Sequence, residues 1–181
     1  MSGLNKTLLI MDKKRFILDF IKKHELAVIA TVSNEGKPED AVIGFGETSK
    51  LELFFGTYKT SRKYKNLKSN PHTAFVIGWE DGQTVQYEGM AEEVTGEVAQ
   101  PYKDLYFAKN PGAQRYENHP DQTYFKVTPR WIRFSNIQKD LFAHLVQHKR
   151  RPLLEPERPR SRRLSRLKFL ILNSKDGIIY S

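Results

Sequence analysis

A chain of 181 residues with 39% hydrophobic content can bury one core with a short appendage, and the absence of cysteine excludes disulfides, thiolate metal sites and cysteine nucleophiles. The net charge of +9 is uneven: residues 138–181 carry eleven Lys and Arg against four Asp and Glu, net +7, and the rest carries 19 against 17, net +2, so the body is close to neutral. No apolar run reaches membrane-spanning length and the opening has no small-residue cleavage site, so a soluble, cytoplasmic chain with no membrane partner is expected.

In chain order, residues 12–24 place Phe16, Ile17, Phe20 and Ile21 at helical spacing among Asp and Lys, which predicts an amphipathic lid helix. The period then changes. LAVIATVS, residues 26–33, is β-branched, and Asn34-Glu35-Gly36 supplies a turn into a second strand over residues 38–45. A third strand is LELFFGT, residues 51–57, followed by a short basic helix over residues 60–69 that Asn70-Pro71 stops. TAFVIGW, residues 73–79, turns at Glu80-Asp81-Gly82 into a fifth strand over residues 84–94. Residues 97–109 read as a helix ended by Asn110-Pro111-Gly112, and residues 123–134 as the last strand. The pattern predicts a mainly β domain with flanking helices, a six-stranded antiparallel barrel over residues 1–137, since closure removes exposed edges. Residues 138–181 mix Pro with Arg and read as a basic, flexible C-terminal extension, with a hairpin around Asp176-Gly177 near its end.

The chemistry concentrates in FFGTYKTSRKYKNL, residues 54–67, where a strand ends at Thr57 and a helix begins near Ser61, followed at once by Arg62 and Lys63. Free amides at a helix start, a hydroxyl cap and two cations are what a phosphate monoester needs. Read alone, the triplet fits a capped, solvated basic helix as well.

Together, Phe55-Gly56-Thr57, Ser61-Arg62-Lys63, Asn70-Pro71, Trp79 and Gly89-Met90-Ala91-Glu92 resemble, in order and spacing, the pyridoxamine 5'-phosphate oxidase-like FMN-binding split β-barrel proteins. The resemblance covers roughly residues 13–136. It implies a split barrel, a homodimer whose second protomer completes the pocket, and FMN, or a deazaflavin in its place, held by Ser61, Arg62 and Lys63 with Thr57 beside the flavin. It also implies an oxidoreductase acting on a small-molecule substrate. The oxidases of that family place an Arg and a Lys on the second strand, where this chain has Ala41 and Gly46, and they end in an Arg-x-His segment that this chain lacks, so vitamin B6 specificity is not implied.

Other residues carry less. His144 and His148 sit four apart on an expected helix with no third ligand, so no metal site is expected. Trp79, Tyr87, Trp131 and Phe134 fit core positions better than a flavin pocket. Glu92 and Glu93 face opposite sides of a strand and cannot act together. Two competing functions stay open: a flavin or tetrapyrrole carrier without turnover, and a nucleic-acid partner engaged through the nine Lys and Arg of residues 149–168.

Overall fold

The computed structural model describes residues 3–138 and 141–146, so the basic stretch 149–168, the hairpin expected at Asp176-Gly177, and His148 lie outside the described residues. Helix α1, Gly3–Lys22, starts earlier than its amphipathic pattern suggests and buries Ile17 and Ile21 completely. On the same helix Phe16 and Phe20 meet Phe134 edge-on, with ring centroids 4.9 and 5.1 Å apart. That geometry matches the quadrupoles of the rings.

Strands β1, Leu26–Val32, and β2, Pro38–Gly44, form the expected hairpin. Its turn closes through Gly36, whose φ of 77° is open to glycine and costly for a side chain. The chain continues through β3, Gly46–Glu47; β4, Leu53–Tyr58; helix α2, Arg62–Ser69; β5, His72–Ile77; β6, Gln83–Val94; helix α3, Gln100–Lys109; β7, Gln122–Asn136; and β8, Leu141–Val146. All ladders are antiparallel, in the order β2-β1-β5-β6-β7-β4-β3, with β8 added to β7.

Only Phe45 separates β2 from β3, yet these two strands stand at opposite ends of the sheet path. The sheet therefore curls until its ends meet, which is the split-barrel architecture. Among the described residues there are eight strands where the pattern gives six. The second expected strand, residues 38–45, is β2; the short β3, Gly46–Glu47, lies beyond it at the other end of the sheet path, and β8 follows the expected last strand. His144 lies in β8, opposite Arg133, which corrects the expected helix: the strand pairing overrides the four-residue spacing. Trp79 falls just outside β5 and is half-exposed, whereas Tyr87 and Phe134 are core.

Phe54 and Phe55 explain the apolar run of β4. Phe55 points into the barrel with Ile29, Phe75, Tyr87 and Phe125, and Phe54 points outward under α3, stacked with Tyr102 and Tyr124. Both faces of that strand are buried, so the alternation seen elsewhere is lost. The C-terminal end of α3 fastens the β2–β3 junction: Asn110 Nδ2 donates to the Phe45 carbonyl at 2.9 Å, and the Lys109 ammonium pairs with Glu47. In β7 a bulge falls at Arg130, the extra residue between Pro129 and Trp131, which pair with the consecutive Gly89 and Glu88 of β6. Pro129 is tolerated there because a bulge needs no ladder donor.

The outer face of the β2-β1-β5 end is apolar: Leu26, Val42 and Val76 are 49%, 62% and 37% exposed. Register places Val28 between Val42 and Val76. No helix of the described residues is long and apolar enough to cross a membrane.

Candidate functional site

The turn after β4 is built by hydrogen bonds between near neighbours. The Ser61 amide donates to the Tyr58 carbonyl at 2.9 Å, and the Ser61 hydroxyl caps α2 by accepting from the Tyr64 amide at 3.2 Å. That same hydroxyl is 3.0 Å from Thr57 Oγ1. Ser61 has extended dihedrals, φ −71° and ψ 152°, as an N-cap residue requires. The following amides, of Arg62 and Lys63, belong to the first helical turn and have no acceptor within the helix. They make the start of α2 a place for an anion.

Beside this helix start lies a small cleft of about 130 Å³, lined by Ile29 and Thr31 of β1, Glu39, Asp40 and Ala41 of β2, and Arg62 and Lys63 of α2. Of the four residues singled out by the sequence, Arg62 and Lys63 line the cleft, whereas Thr57 and Ser61 are bonded to one another at the preceding turn. Lys63 is partly buried, and burial holds its ammonium below the usual lysine range. Among the described residues no carboxylate forms an ion pair with it.

Arg62 is different. Its side chain is 78% exposed, and Nη1 donates to Glu39 Oε1 at 3.2 Å. Glu39 is held firmly: buried Asn66 donates from Nδ2 to Glu39 Oε2 at 2.9 Å and to Thr31 Oγ1 at 3.0 Å. Arg62 and Lys63 thus bring two cations to the cleft and Glu39 an inward-facing carboxylate, while Asp40, next in β2, alternates to the other face of the strand. Glu39 and Asn66 are the participants that sequence reasoning missed. The alternation of β2 held a signal for Glu39, since it shares a face with Ala41 and Ile43 and so turns inward toward α2. Ala41 does line the cleft, but Gly46 packs elsewhere, where a Cβ would meet Tyr106 Cα at 3.0 Å.

A neighbouring network fixes the rest of α2. Lys68 Nζ donates to Glu93 Oε2 at 2.9 Å, and the Thr123 hydroxyl donates to Glu93 Oε1 at 2.6 Å. Burial pushes the Glu93 carboxyl up, but these two hydrogen bonds and the Lys68 charge outweigh it and leave it below the usual range. Glu92, on the other face, pairs with Lys126. The two adjacent carboxylates are thus kept apart, as their alternation implies.

A wider cleft, of about 610 Å³, opens between the β4, β6 and β7 ends and the start of α3; its lining includes Lys59, Lys103, Glu117 and Tyr124. The Lys103 ammonium there is paired with Glu117 and stands 5.2 Å from the centre of the Tyr124 ring, so its charge is already met. Among the described residues no cluster of His, Asp or Glu could hold a metal ion.

Comparison with known proteins agrees with this architecture. The pyridoxine/pyridoxamine 5'-phosphate oxidase of Leptospira interrogans is 32% identical over 128 residues, covering 66% of this chain and 58% of that protein. The chain spans about half the length of the curated relatives it matches. Among solved structures, a heme binding protein from Mycobacterium smegmatis superposes with a TM-score of 0.65 at 15% identity, over 76% of this chain and 57% of that one. A putative pyridoxamine 5'-phosphate oxidase from Listeria innocua gives 0.58 at 22% identity, over 68% and 98%. At these identities the two likenesses are of fold. Residues 14–136, which hold the barrel from α1 through β7 together with the cleft at the start of α2, match the pyridoxamine 5'-phosphate oxidase family, and the chain belongs to that family.

Proposed function

We propose that this protein is an FMN-binding flavoprotein that works as an oxidoreductase on a small molecule, as a homodimer. The observation that carries the reading is Lys63: a partly buried cation with no acidic partner among the described residues, at a helix start where the Arg62 and Lys63 amides have no acceptor within the helix. A phosphate monoester supplies the charge and the acceptors this position lacks. Lys63 and the first amides of α2 would hold the phosphate, Arg62 would share it with Glu39, and the Thr57–Ser61 pair would keep the turn in shape. FMN, when bound, supplies two-electron redox chemistry that the side chains cannot. The chain's own task is to bind, orient and shield. The outer face carrying Leu26, Val42 and Val76 supports the dimer, and because β2 contributes to both that face and the cleft, a partner docked there would border the cofactor site.

An absorbance spectrum of the freshly purified protein, with the released cofactor identified by mass, tests the reading. Flavin bands that disappear in an Arg62→Ala, Lys63→Ala double variant are expected. A colourless protein that also ignores added FMN would refute it.

One observation favours a second reading, a tetrapyrrole or flavin carrier without turnover: Glu39 already engages Arg62, which weakens the cleft's hold on a dianion, and a heme binding protein shares the fold. Titration with heme separates the two. A Soret band that FMN does not displace would favour the carrier.

A further inference from the structure

Glu39 sits where a phosphate-binding cleft should have no acid. Its side chain is only 19% exposed, and its carboxylate accepts from buried Asn66 at 2.9 Å and from Arg62 Nη1 at 3.2 Å. Asp40, next in β2, lines the same cleft. Of the two cations, Arg62 is already met by Glu39 before any ligand arrives. A phosphate dianion entering it must win Arg62 from a carboxylate that cannot swing away, because the Asn66 side chain also binds Thr31 of β1. It must also lie close to that carboxylate, at a distance where like charges still repel through a partly buried medium.

We propose that Glu39 is the specificity-determining residue of this site: it competes with the ligand's phosphate for Arg62, so that the site discriminates only weakly between FMN and the unphosphorylated riboflavin. This rests on the flavin reading above and concerns the same cleft. The flavin ring is the common element of both ligands; the phosphate adds little net affinity because its gain at Lys63 is offset at Glu39.

The experiment is a fluorescence titration of FMN and of riboflavin against the full chain and against Glu39→Gln. Glutamine keeps an oxygen that can accept from Asn66 and removes the charge. Wild type is expected to bind FMN within about tenfold of riboflavin, and Glu39→Gln to bind FMN about tenfold tighter with riboflavin changed less than about twofold. An unchanged FMN-to-riboflavin ratio in Glu39→Gln overturns the proposal and leaves the flavin site standing. So does a wild-type preference for FMN above about a hundredfold, a measurement that needs no variant to fold. Failure of both flavins to bind either chain overturns the flavin reading itself, and this proposal with it.

Discussion

Replacing Lys63 by alanine should weaken FMN binding far more than replacing Arg62, although the two residues are adjacent and carry the same charge. Lys63 is partly buried, meets no carboxylate among the described residues, and lies where its charge is poorly hydrated. A charge-assisted hydrogen bond from such a group to a phosphate is worth about 1.5–3 kcal/mol, or roughly 10- to 150-fold in affinity. Arg62 is 78% exposed and already engaged at 3.2 Å by Glu39, so its net contribution should be at most about 1 kcal/mol, roughly fivefold. Dissociation constants for FMN, measured by flavin fluorescence at fixed salt, give both values. Equal losses, or a larger loss for Arg62, would refute the reasoning. The same burial gives a sign for pH. Because the Lys63 ammonium is held below the usual lysine range, it deprotonates earlier than an exposed lysine as pH rises, and FMN affinity should fall on the alkaline side. Lys63→Arg should abolish that fall, since a guanidinium keeps its charge.

Three further outcomes follow from the fold. Gly89→Ala places a Cβ 2.5 Å from Val127 Cγ1 and 2.9 Å from the Thr128 carbonyl, opposite the β7 bulge, and should destabilise by about 1–3 kcal/mol in chemical denaturation, whereas Gly112→Ala, with nothing within 4 Å, should change little. Tyr87→Phe removes a buried hydroxyl that lies 3.0 Å from the carbonyls of both Leu51 and Val127, and Leu51 itself has a φ of 65°; a loss of about 1–2 kcal/mol is expected, seen as a lowered Tm in calorimetry. Glu93 has its folded pKa below the unfolded value, so it contributes stability that is present above the unfolded pKa and is lost as pH falls through the folded one. Glu93→Gln should therefore flatten the acid limb of a stability-versus-pH curve, and an unchanged slope would count against the Lys68–Glu93–Thr123 network.

Local chemistry made much of this protein legible from its sequence. Residues 26–33, with a turn at Asn34-Glu35-Gly36, could pair only as a hairpin, and Ser61 and Asn70-Pro71 bracket α2 at both ends, because capping and turn formation involve residues within a few positions of one another. The placing of Arg62 and Lys63 directly behind the Ser61 cap, at the start of α2, was visible for the same reason. Contacts between distant residues were not. Glu39 reaches Arg62 across 23 positions and Asn66 across 27, and that meeting depends on where the curled sheet sets β2 against α2. Phe45 gives no local sign that it carries the chain from one end of the sheet path to the other, nor does the four-residue spacing of His144 and His148 reveal that His144 joins a strand. The sequence by itself determined the longer strands and the helices of residues 12–134 and which face of most of them is apolar, since periodicity reports a residue's own backbone. Only the tertiary structure decided the closure of the barrel and the charge balance of the cleft, since both depend on the register between segments that no local pattern encodes.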